Sequence, residues 1–164
     1  MQNQEYVKLD GLGLAALLRA GEVTPKELME CAIRLARELA PTLNALSYEQ
    51  YEASLALARE WSQRGTFRGI PFLLKDSGLA STRLASSLGS ALFNDMRYTH
   101  NATLVDRFET AGFIPFARTT VPELCMAPTT EALRNGGATR NPWDPGRSAG
   151  GSSGGAAAAV AAGI

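Results

Sequence analysis

The chain has 164 residues, 45% hydrophobic and 20% charged, enough for one soluble domain with its own core. Lys plus Arg and Asp plus Glu number 16 each, so the net charge is zero and argues against a nucleic-acid or anionic-membrane surface. The two cysteines, Cys31 and Cys125, lie far apart and suggest no disulfide framework; a reduced, cytoplasmic setting is expected.

Asp10 is placed to cap a first helix, with Leu12, Ala15, Ala16 and Leu17 on one side and Gly21 as its stop. Thr24-Pro25-Lys26-Glu27 is a capping box with proline at the first helical position. The helix it opens carries Leu28, Met29, Ala32, Ile33, Ala36 and Leu39 at helical spacing, and Pro41 is expected to end it. Cys31 falls between those positions and reads as a packing residue. A short extended piece over 43–46 leads to a third helix over about 49–63. Tyr51, Leu55 and Ala58 share one face of it, Leu57 and Trp61 the next, and Gly65 breaks it.

A strand follows over 70–74, then a small-residue segment over 77–90. Its Ser/Gly/Ala content suits irregular backbone near a site, and equally an ordinary surface loop. Residues 101–111 read as a helix with Leu104, Val105, Phe108 and Ala111 inward, stopped by Gly112. Residues 113–117 read as a second strand. Strand, helix, strand points to an α/β layer with a parallel pair.

Two stretches carry chemistry. Gly150-Gly151-Ser152-Ser153-Gly154-Gly155 runs into an alanine-rich segment, so a tight loop opens onto a helix N-terminus with Ser152 or Ser153 near the cap. Backbone N–H groups there can hold a phosphate, a carboxylate or an oxyanion. A flexible Gly/Ser linker is the plain alternative. The second stretch is Gly69-Ile70-Pro71-Phe72-Leu73-Leu74-Lys75-Asp76. Lys75 is one of three lysines, against thirteen arginines, and follows five apolar residues. Burial would favour its neutral amine, a usable general base. The alternative is a strand-end lysine whose stem lies on the core and whose head reaches water.

Other chemistries lack their parts. The one histidine, His100, sits beside a helix start and suits a surface or capping role. One histidine and two distant cysteines make no closed zinc site. Ala156 stands where a P-loop needs lysine, and the dinucleotide glycine pattern is missing. No signal peptide is expected, and the apolar run over 156–162 is too short to span a bilayer.

The run Gly136-Gly137-Ala138-Thr139-Arg140-Asn141-Pro142-Trp143-Asp144, then Gly146-Arg147-Ser148, then the Gly/Ser loop, resembles the signature of the amidase signature family. Lys75 with its apolar lead-in matches that family's lysine motif. Val121-Pro122-Glu123-Leu124 and Thr129-Thr130-Glu131 match the piece between. The phrasing around Lys75 and Gly146-Arg147-Ser148 is similar to hydrolases of cyclic amide oligomers. The resemblance implies an α/β amidase-signature fold, of which this is the N-terminal portion. Residues 1–65 would form a helical layer and 66–164 the start of the catalytic core of a single domain. It further implies a Ser–cis-Ser–Lys triad with Lys75 as base and Ser152 as the bridging serine, after a cis bond from Gly151. Gly150, Gly151, Ser153 and Gly154 would support the loop, and Cys125, Met126 and Ala127 would line the acyl pocket.

The family's nucleophilic serine lies roughly two dozen residues past Ser152, so the triad and its oxyanion turn are expected to be incomplete here and this chain alone inactive. Two departures from the family pattern stand out: Ala156 replaces a frequent serine, and Ala117-Arg118-Thr119-Thr120 replaces Gly-Lys-Thr-Asn, which can alter local hydrogen bonding. The implied substrate is a small amide with an uncharged acyl part, with no cofactor or metal, no nucleic acid and no membrane; a homodimer stays open. Two alternatives stand beside the amidase: a non-catalytic amidase-like binding domain, and the amidase subunit of a glutamine-dependent tRNA amidotransferase.

Overall fold

In the computed structural model, which describes residues 1–62, 65–93 and 95–164, local capping chemistry sets the N-terminal helices. After a short α1 (Asn3–Tyr6), α2 (Gly11–Ala20) starts where the Asp10 carboxylate accepts from the N–H groups of Leu12 and Gly13, at 3.0 and 2.8 Å. It stops at Gly21, whose φ of 73° suits a residue without Cβ. Its inward face differs in part from the expected one: Ala15 is buried as expected, but Leu14 is buried beside it while Leu12 is 59% exposed. The segment is apolar almost all round, so spacing alone does not select the face.

The capping box forms as read. Thr24 N–H donates to Glu27 Oε2 at 2.8 Å, and Glu27 N–H to Thr24 Oγ1 at 3.2 Å. The helix it opens, α3 (Pro25–Leu43), does not end at Pro41. Proline three residues from a C-terminus removes one ladder bond only, and the added turn buries Leu43 against Ala45 and Ala158. Asn44 then closes the helix in the left-handed region, its N–H on Ala40 O at 2.7 Å. After β1 (Leu46–Ser47), α4 (Tyr51–Arg59) is shorter than expected. Trp61 lies beyond it, buried, with Nε1 donating to Gly112 O at 3.0 Å. Gln63, the expected last residue, falls outside the described residues.

The central sheet has the order β1-β3-β2. β2 (Ile70–Lys75) and β3 (Phe113–Thr119) are parallel, joined through α5 (Thr103–Ala111), as the strand-helix-strand pattern predicts. In α5, Val105 is buried and Phe108 packs on Phe72, ring centroids 4.9 Å apart, but Leu104 in the first turn is 46% exposed. One face of the sheet carries the α3 and α4 cluster, with Leu28, Met29, Ile33, Phe116 and Leu73. The other carries Leu74, Leu84 and Val105, with Phe72 and Phe108. The alternation along β2 therefore carries Lys75 toward the side of Leu73 and Asp76 toward that of Leu74. Residues 77–90 are no ordinary surface loop: Ala80, Ser81, Leu84, Ala85, Ser86, Ser87 and Ser90 are all buried. Two short pairs follow, β4 (Glu131–Ala132) with β5 (Gly137–Ala138) and β6 (Arg140–Asn141) with β7 (Asp144–Ser148), before α6 (Gly154–Ala162) returns to the sheet. Among the described residues no helix is long and apolar enough to cross a membrane.

Candidate active site

Lys75 is the last residue of β2, in register with Thr119 of β3. Its Nζ donates to Ser152 Oγ at 2.9 Å. The Gly151–Ser152 peptide is cis, at the position the resemblance implies. Both stretches singled out in the sequence therefore meet at one point.

Thr130 holds the loop on either side of Ser152. Its buried hydroxyl donates to Gly150 O at 2.8 Å and accepts from Gly154 N–H at 3.1 Å. The bond to Gly154 replaces the expected serine cap. Ser153 occupies the N-cap position of α6 but makes no side-chain cap bond. Gly155 N–H is also taken, by Thr120 O at 3.2 Å. So the first two helical N–H groups of α6 are committed inside the protein, and the expected open anion cradle is not what this helix end presents. The glycines serve close approach instead. A Cβ on Gly151 would lie 2.3 Å from Thr129 O, and one on Gly155 2.4 Å from Thr120 N. The Thr139 hydroxyl donates to Asn44 O at 2.7 Å and accepts from the Thr120 hydroxyl at 2.7 Å, which ties the loop's support to the end of α3.

Behind Lys75 lies a charged pair that sequence reasoning marks only as a departure from pattern. Arg118 and Asp76 have wholly buried side chains, with Nε and Oδ1 3.9 Å apart. Arg118 donates to four backbone carbonyls: Lys75 at 3.1 Å, Leu79 at 2.8 Å, Leu84 at 3.0 Å, and Ala85. Asp76 accepts from the Ser86 hydroxyl and from the N–H and hydroxyl of Ser87. Burial pulls the guanidinium below its ordinary value, and the Asp76 carboxylate opposes that shift. The signal available in sequence is an arginine in an apolar strand run, and an aspartate that directly follows the candidate base.

The three expected lining residues separate in exposure. Cys125 is half-buried with Sγ 3.8 Å from Asp76 O, and Ala127 is half-buried, but Met126 is 82% exposed. Burial pushes the Cys125 thiol up, with Lys75 opposing. Leu124 and Cys125 both hold positive φ, 54° and 59°. His100 is exposed and takes no part in the Lys75 cluster. Among the described residues no group of His, Cys, Asp and Glu is arranged to hold a metal.

The family model for Amidase matches residues 27–164. The chain belongs to the amidase family. It is 40% identical over 159 residues to the 6-aminohexanoate-cyclic-dimer hydrolase of Paenarthrobacter ureafaciens, across 94% of this chain and 31% of that one. It is 36% identical over 155 residues to a Glutamyl-tRNA(Gln) amidotransferase subunit of Chloroflexus aurantiacus, across 90% of this chain and 31% of that one. Its fold superposes on the structure of 6-aminohexanoate cyclic dimer hydrolase complexed with substrate, with a TM-score of 0.89 and 37% identity over 96% of this chain and 32% of that one. The chain thus spans about a third of the length of these relatives. The α/β amidase-signature fold read from the motifs is the fold observed.

Proposed function

We propose that this chain carries the base and the bridging serine of an amide hydrolase. The observation that carries the reading is the 2.9 Å bond between Lys75 Nζ and Ser152 Oγ, beside the cis Gly151–Ser152 peptide. A serine hydroxyl attacks an amide carbonyl well only when a base takes its proton. In this reading neutral Lys75 accepts the Ser152 proton as Ser152 accepts the nucleophile's. The nucleophile's oxygen then bonds to the carbonyl carbon, and the C–N bond breaks as the leaving amine takes the proton back along the same path. Water, giving up its proton through the same relay, then attacks the acyl-enzyme, releases the carboxylic acid and leaves the nucleophile protonated again. The nucleophile is expected about two dozen residues past Ser152, and residues 154–164 hold no serine. In this reading residues 1–164 supply the base and the bridging serine of one amidase domain, and without that nucleophile they turn over no amide by themselves. The substrate is a small carboxamide with an uncharged acyl part, met by Cys125 and its neighbours.

The complete gene product should hydrolyse linear or cyclic carboxamides, the 6-aminohexanoate cyclic dimer among the first to try. It should also be labelled one-to-one by a fluorophosphonate, while residues 1–164 alone do neither. Turnover or stoichiometric labelling by residues 1–164 would refute the division of the triad. No amide hydrolysis by the complete product would favour a binding domain.

A further inference from the structure

We propose that the buried Arg118–Asp76 pair positions Lys75 for its proton transfer, an inference that rests on the reading of Lys75 as the base. Lys75 ends β2, where a strand frays unless something holds it. It is held by the next backbone bond of the β2–β3 pair and, from the far side of the sheet, by the side chains of Arg118 and Asp76. Arg118 Nη1 donates to Lys75 O at 3.1 Å, Asp76 N–H donates to Thr119 O at 3.2 Å, and the Asp76 carboxylate is fixed by Ser86 and Ser87. The other guanidinium donors go to Leu79, Leu84 and Ala85, so one side chain fixes both the base residue's backbone and the buried segment over 77–90. That segment in turn holds the candidate pocket wall: Leu124 N–H donates to Leu88 O at 2.7 Å.

The chemistry is specific to arginine. Four carbonyls in different directions need a planar fork with five N–H donors, and one ammonium cannot reach them all. A wholly buried ion pair is a poor device for stability, since packed apolar residues of the same volume do as well or better. The placement of its bonds, on the backbone of Lys75 and the loop behind it, points to positioning. Neither residue is catalytic in this account, because Ser152 is the group Lys75 touches and the pair lies beyond the backbone.

The test uses the complete gene product, with Arg118→Met and Arg118→Lys, each alone and combined with Lys75→Ala, folding being followed by thermal melts. Misplacing a reacting group by about 1 Å can cost about 100-fold in rate. Arg118→Met should lower kcat between about 10- and 100-fold with KM changed less than about threefold, and Arg118→Lys should recover part of the loss. In the Lys75→Ala background either change should cost less than about twofold, because a residue acting through Lys75 has nothing left to position. Should Arg118→Met not fold, Arg118→Lys, which keeps a cation beside Asp76, is read in the same two backgrounds. Equal losses with and without Lys75, a loss confined to KM, or full activity in a folded variant would overturn the inference. Near-parental turnover in Lys75→Ala alone would instead overturn the assignment of the base.

Discussion

The Lys75 amine reaches the Ser152 hydroxyl at 2.9 Å across 77 residues of sequence. A parallel strand delivers one group and a glycine-rich loop the other. If this pair moves the proton, Lys75→Ala in the complete gene product should lose about 10²–10⁴ in kcat while the fold survives, and Ser152→Ala a similar or smaller factor. His100→Ala should change little, since the ring is exposed and apart from the pair. Steady-state kinetics on the three variants decide it. Loss of activity in His100→Ala would sink the assignment.

Thr130 should matter nearly as much to the loop as Ser152 does to the chemistry. Its hydroxyl bonds Gly150 O and Gly154 N–H, bracketing the cis peptide. Thr130→Val keeps the shape and strands the buried Gly154 N–H and the half-buried Gly150 O. The expected loss is about 1–3 kcal/mol per unsatisfied group, read as a shift in the urea midpoint, with kcat falling further than KM rises. A variant of unchanged midpoint would show that the loop does not depend on this hydroxyl.

The glycines around the site divide by what surrounds them. Gly155→Ala puts a methyl 2.4 Å from Thr120 N, and Gly151→Ala one 2.3 Å from Thr129 O, both against backbone. Each should cost about 1–3 kcal/mol from overpacking. Gly136 meets nothing within 4 Å, though its φ is +81°. Gly136→Ala should therefore cost only the left-handed penalty, about 1–2 kcal/mol. Thermal denaturation of all three checks them, and a loss well under about 1 kcal/mol at Gly151 or Gly155 would discount the close approach there.

Much of this is legible in the sequence because the signals are local. The Thr24–Glu27 box, the Asp10 cap, the Gly21 and Gly112 stops and the strand-helix-strand pattern each depend on residues a few positions apart. Lys75 and Ser152 are legible by type, position and resemblance. What sequence does not disclose depends on tertiary choice. Pro41 reads as a stop, but burial of Leu43 outweighs one missing bond. Leu12 and Leu104 read as inward, but short helices with broad apolar faces are oriented by what they pack on. The Arg118 and Thr130 contacts span 33 and more residues in one case and 20 or more in the other, and no local pattern announces them.

Tyr6 gives a prediction about alkaline stability. The ring closes the N-terminal edge of the main core and is 8% exposed. Burial pushes its phenol up from 10.0 to about 12, and the nearby Cys31 adds to the shift. The unfolded chain thus releases this proton near pH 10 and the folded chain near pH 12. Between those values the folded state holds more protons than the unfolded one, so stability falls as pH rises. The contribution is intact below pH 10 and is lost by the time pH passes 12, about 2–3 kcal/mol in all. Tyr51 is pushed in the same direction, also mainly by burial, so part of the alkaline slope survives without Tyr6. Urea midpoints of the parent and Tyr6→Phe, taken at pH 8, where neither phenol ionises, and at steps from pH 9.5 to 11.5, isolate the Tyr6 share. Tyr6→Phe should follow a shallower decline above pH 10 than the parent. Parallel declines would mean that ionisation of Tyr6 is not what the folded core resists.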